Sequence, residues 1–102
     1  MLLFLCMTVD EFKESLLLPS APLVVSNHLK ALWYDAKGDW EKAHTIIQDI
    51  EDKNAAWIHA YLHRKEGDIF NADYWYNRAG RKRPILSLQQ EWETMVEELI
   101  LY

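Results

Sequence analysis

Two stretches of this chain carry one pattern: Ala31-Leu-Trp-Tyr-Asp-Ala-Lys-Gly-Asp-Trp-Glu-Lys-Ala43 and, 29 residues on, Ala60-Tyr-Leu-His-Arg-Lys-Glu-Gly-Asp-Ile-Phe-Asn-Ala72. In each, a small residue, an apolar pair, Gly-Asp and a second small residue fall at matching positions. Self-similarity at such a period marks stacked copies of one supersecondary unit, none of which buries its apolar face alone. Gly38 and Gly67 each stop a helix and relax the turn, and Asp39 and Asp68 cap the helix that follows. The unit is a helical hairpin, and the chain holds two in tandem.

Helix signals continue on both sides of the hairpins. The first helix is predicted over residues 9–17, with Thr8 and Glu11 at capping-box spacing and Val9, Phe12 and Leu16 inward, before Pro19-Ser-Ala-Pro22 ends it. Ser26 caps a helix through Lys37 that carries Leu29, Leu32, Trp33 and Ala36 at helical spacing. Asp39 caps its partner, to about Asp49, with Trp40, Ala43, Ile46, Ile47 and Ile50 in the same rhythm. After the polar turn Glu51-Asp-Lys-Asn54, a helix over residues 55–66 shows Ile58, Tyr61, Leu62 and the stem of Lys65 on one side. Asp68 caps a helix through Ala79, Gly80 ends it, and Arg81-Lys-Arg-Pro84 links to a last helix with a Ser87/Gln90 capping box. That helix carries Trp92, Met95, Val96, Leu99 and Ile100 and is expected to cover the open end of the hairpin stack. No stretch alternates with the period of two that a strand needs. The expected fold is all-α, with about six helices: two tandem hairpins flanked by an N-terminal and a C-terminal capping helix. Residues 1–102 form one domain, with residues 1–7 as a disordered or upstream extension.

Composition narrows the function classes. Half of the 102 residues are hydrophobic and five are Trp, so the chain has ample material for one core. A net charge of -5 opposes general attraction to nucleic acid or to an anionic membrane, and neither partner is expected. Cys6, the single cysteine, precludes an intrachain disulfide framework and fits a reducing compartment, so the expected location is the cytoplasm. Met1-Leu-Leu-Phe-Leu-Cys-Met7 lacks a basic leader region and a small-residue cleavage site and is too short to span a bilayer.

The paired small residues, Ala31 with Ala43 and Ala60 with Ala72, resemble the signature of the tetratricopeptide repeat, as do Tyr34, the large residues Ile47 and Tyr76, and Ala79 with Pro84. The chain departs from that signature at Asn27 and Ala56 (usually Trp), at Lys30 and His59 (usually Leu) and at His63 (usually aromatic), and its period is shorter than the usual 34 or so. The likeness is to tetratricopeptide-like hairpins and covers roughly residues 26–84. The run Trp57-Ile-His-Ala-Tyr-Leu-His-Arg-Lys-Glu-Gly-Asp68 also resembles small bacterial helical proteins without an assigned activity.

The resemblance implies a concave groove for a peptide, lined by His28, Leu32 and Asp35 and by Trp57, Tyr61 and Arg64; the alternative is that Trp57 and Tyr61 pack under the C-terminal helix. It implies no clamp for a terminal carboxylate, because His28 and Leu32 stand where the clamping subclass has Lys and Asn. The residues themselves give a second surface. Three consecutive aromatics, Tyr74-Trp75-Tyr76, point about 100° apart on a helix and cannot share one inward face. Trp75 and Tyr76 agree with Ile69, Ala72 and Ala79 on the core stripe, which leaves Tyr74 with Phe70 on a second apolar face that needs a cover, from the terminal helix, the N-terminal extension or a second subunit.

One constellation resembles a metal site. His59 and His63 are four apart on one helix, Glu66 follows by a turn, and His44 lies on the preceding helix. Imidazoles at that spacing ligate zinc, although the zinc-protease motif also needs Glu where Ala60 stands. The alternative is that both histidines pack as repeat positions with their nitrogens hydrogen-bonded. Arg78, Arg81, Lys82 and Arg83 form a basic cluster that can face Glu91, Glu93, Glu97 and Glu98. No nucleophile elbow or phosphate-cradling loop occurs.

The first expectation is a non-enzymatic module without cofactor, which binds a protein or peptide, or itself, through Trp57, Tyr61, Arg64, Phe70 and Tyr74. The alternative is a metal-binding protein or metal-dependent hydrolase using His44, His59, His63 and Glu66.

Overall fold

The computed structural model describes residues 7–100. The extension expected over residues 1–7 lies outside them except for Met7, which packs against the core. The described residues form six α-helices and no strand: α1 (Val9–Glu14), α2 (Asn27–Ala36), α3 (Trp40–Ile47), α4 (Lys53–Lys65), α5 (Ile69–Arg78) and α6 (Leu88–Leu99). A 3-10 turn, Ser15–Leu17, replaces the expected last turn of α1.

The helix starts follow the capping chemistry. Thr8 and Ser87 close capping boxes with Glu11 and Gln90, and Ser26, Asp39, Asp52 and Asp68 each accept from a backbone N–H in the first turn of the helix they precede. Asp52 moves the start of α4 two residues ahead of the predicted one, because its carboxylate reaches the Ala55 N–H at 2.7 Å. Both Gly-Asp turns are built identically. Gly38 and Gly67 take φ of 88° and 91°, which only glycine adopts without strain. Asp39 N–H donates to the Tyr34 carbonyl and Asp68 N–H to the His63 carbonyl, each at 2.9 Å, so the helix that ends and the helix that begins share one turn.

Helices α2 and α3 pack as one hairpin and α4 and α5 as another. The alanines explain the close approach: Ala31, Ala43, Ala60 and Ala72 are all fully buried. Helix α4 sits at the centre, against α2, α3, α5 and α6, and every residue from Ala55 to His63 is buried. Its predicted one-sided apolar stripe is therefore a correction: a helix surrounded by partners has no solvent face.

Helix α6 does not simply end the stack. It lies against α2 and α4, the first helices of the two hairpins, and fills the groove between them. The Trp92 indole donates to the Leu32 carbonyl at 3.0 Å, and Phe12 of α1 packs against the Trp92 ring. Glu91, 1% exposed, accepts from Trp57 Nε1 at 3.0 Å, from Tyr76 Oη at 2.7 Å and from Arg64 Nη1 at 2.7 Å. Asp35, 2% exposed, accepts from Tyr61 Oη at 3.0 Å and from Lys65 Nζ at 2.9 Å. These two buried carboxylates are fully partnered, which their burial requires.

The peptide groove expected from Trp57, Tyr61 and Arg64 is thus closed. Trp57 and Tyr61 are buried beneath α6, and Arg64 is held by Glu91 and the Leu86 carbonyl. The same packing corrects the grouping of Glu91 with an acidic face. Only Glu98 of that set meets the basic link, through Arg81 at 3.2 Å, while Arg83 pairs with Asp73 at 2.9 Å.

Candidate metal site

The pairing of α3 with α4 determines where the histidines go. His59 and His63 sit on the flank of α4 that faces α3, and His44 sits on α3 one turn after Trp40. The three rings meet at centroid separations of 4.7, 5.3 and 4.9 Å for the pairs His44–His59, His44–His63 and His59–His63. One ring nitrogen of each lies within 4.8 Å of one from each of the others. His44 Nε2 and His59 Nε2 are 3.0 Å apart, so one ring donates its N–H to the other.

Two indoles enclose the cluster. Trp40 stacks on His44 at 4.9 Å, fixed by its own N–H on the Leu62 carbonyl at 2.7 Å, and Trp75 stacks on His59 at 4.0 Å. His59 and His63 are buried and His44 is half-buried. Burial pushes the His59 imidazole down to about 4, with the neighbouring His44 and His63 acting in the same sense. His44 is also lowered, first by burial and then by His63, against opposing attraction from Glu66 and Glu41. At neutral pH these two rings are therefore uncharged, the form that ligates a metal.

His63 has a different partner. Its Nδ1 is 2.8 Å from a Glu66 carboxylate oxygen, which leaves Nε2 as the ring's free nitrogen. A carboxylate behind a histidine is the usual way a metal-ligating ring is oriented and its basicity raised. Glu66, expected among the ligands, is thus placed one step behind them. Asp68 is also near His63, but its oxygens are taken by the Asn71 backbone N–H and Nδ2, each at 3.2 Å.

The spacing suits a tetrahedral ion. Zinc holds imidazole nitrogens at about 2.0–2.1 Å, which puts two such ligands about 3.3 Å apart. The 3.0 Å between His44 and His59 is within a few tenths of that value. A nitrogen of His63 lies no farther than 4.8 Å from a nitrogen of each of the other two rings. Trp40 and Trp75, the walls of the site, were read from the sequence as core residues. The signal available was Trp40 and His44 at i and i+4, on one helix face.

The second aromatic face, that of Phe70 and Tyr74, is uncovered among the described residues. Phe70 is 89% exposed and Tyr74 50% exposed on the outer face of α5. Arg78 lies across the Tyr74 and Trp75 rings, and Arg81 stacks on Trp57 at 3.4 Å. The basic cluster is largely engaged with aromatic rings and carboxylates. No helix among the described residues is long and apolar enough to cross a membrane. Comparison with family models, with curated proteins and with solved structures gives no match to this chain.

Proposed function

We propose that this protein binds one divalent transition-metal ion, of the zinc class, through His44, His59 and His63. The observation that carries the reading is the convergence of three imidazoles from two helices, two of them within 3.0 Å. Neutral rings, a carboxylate behind His63 and indole walls that hold His44 and His59 all favour the same use. Imidazole ligands suit zinc, copper and nickel more than magnesium or calcium. Cys6 fits a reducing compartment, and the cytoplasm is the location proposed with this reading.

Calorimetric titration of metal-free protein with zinc tests it. One ion per chain is expected. His44→Ala should abolish that binding while leaving the circular dichroism unchanged, because His44 is the half-buried member of the three. No heat at micromolar zinc refutes the reading.

A second reading is association with a protein partner or a second copy through α5. It rests on Phe70, a large aromatic left almost wholly in solvent beside Tyr74. Sedimentation should show self-association that Phe70→Ser removes. A monomer at every concentration limits this surface to a different protein, and unaltered association in Phe70→Ser excludes the surface.

A further inference from the structure

The metal reading leaves a coordination position without a protein donor. Among the described residues, the clustered donors able to meet a common ion are the three imidazoles, together with a second set made of His63, Glu66 and Asp68. Neither carboxylate of that second set is grouped with His44 and His59. Glu66 is bonded to His63 Nδ1 at 2.8 Å, and both Asp68 oxygens are bonded to Asn71. Three protein ligands with a vacant fourth position are the arrangement of exchangeable sites, whereas closed structural sites use four.

The three ligands differ in exposure. His44 is the least buried of the three. A cleft of about 510 Å³ lies behind Trp75, which stacks on His59, and is lined also by Gln48, one turn beyond His44, and by Ala56, one turn before His59, but by none of the three histidines. Lys53 and Arg78 contribute cations to that cleft and Glu51 and Asp52 contribute anions, but Asp52 is engaged by His28 at 3.0 Å and by the Ala55 N–H. The charge at the ion itself decides the ligand. Imidazole ligands carry no charge of their own, so a divalent ion would be compensated only from a distance, by Glu66 behind His63 and by Glu41 near His44, and an anionic fourth ligand is favoured over a neutral one.

Resting on the metal reading above, we infer that the His44–His59–His63 site keeps its fourth position for an exchangeable small anion, such as a carboxylate, reached past His44, its half-buried member. The full-length protein loaded with cobalt(II) tests this, with azide and acetate as the probes. Tetrahedral cobalt gives visible d–d bands. Saturable shifts of those bands on adding azide, reversed by dialysis and competed by acetate, are the expected result. Cobalt bands that neither anion alters overturn the open position and leave metal binding standing. Absence of any tetrahedral cobalt band overturns both.

Discussion

Acid should weaken this fold before its carboxylates titrate, and His59 sets the size of the effect. Its imidazole is buried against Trp75, His44 and His63 and is lowered to about 4 from an ordinary 6.5. The sign follows from the lowering. Between pH 6.5 and 4 the unfolded chain binds a proton at His59 that the folded chain does not, so protons favour unfolding and stability falls as pH falls. For those two values the loss between pH 7.5 and pH 5 is about 2 kcal/mol. His44, lowered in the same direction, adds to it. In urea, with a slope of about 1–2 kcal/mol per molar for a chain this short, the midpoint should drop by roughly 1–2 M. The assay is urea unfolding followed by tryptophan fluorescence at pH 7.5, 6.5, 5.5 and 5, with a chelator present so that metal linkage does not enter. His59→Gln should flatten the profile. Equal pH slopes for the original chain and His59→Gln would refute the account of a neutral, desolvated imidazole.

Two further perturbations probe the scaffold. Glu91→Ala should destabilise by about 3–5 kcal/mol in chemical denaturation, because it strands Arg64 and removes the acceptor of two buried donors, Trp57 Nε1 and Tyr76 Oη. Gly67→Ala should cost about 1–2 kcal/mol from the left-handed backbone alone, since a Cβ there meets no atom within 4 Å, and thermal melting of the purified variant checks it.

The helices were legible because their ends carry side-chain chemistry. Thr8, Ser26, Asp39, Asp68 and Ser87 cap the helices that the sequence assigned to them. The exposed pair Phe70 and Tyr74 was legible because three adjacent aromatics cannot share one face. The position of α6 was legible only as one of two readings, over Trp57 and Tyr61 or leaving them open as a groove. Its apolar stripe shows that it packs, but only the tertiary arrangement puts it in the groove between α2 and α4 rather than across the end of the stack. The buried charges were missed for the same reason. Nothing in the local sequence separates Glu91 from Glu93 and Glu98, which stay on the surface, because Glu91 is distinguished by donors 15 to 34 residues away. The histidines were legible, His59 and His63 as a spacing on α4 and His44 as a neighbour on the preceding helix, whereas the two indoles around them needed the tertiary arrangement.

The central claim is that three rings from two helices share one ion. Diffraction at the zinc absorption edge, on crystals grown with zinc, locates that ion without reference to any assay. The account predicts one anomalous peak per chain within about 2.0–2.1 Å of a nitrogen from each of His44, His59 and His63, with Glu66 still bonded to the far side of His63. A peak at other residues, or His44 and His59 still in direct contact with no ion between them, would contradict it.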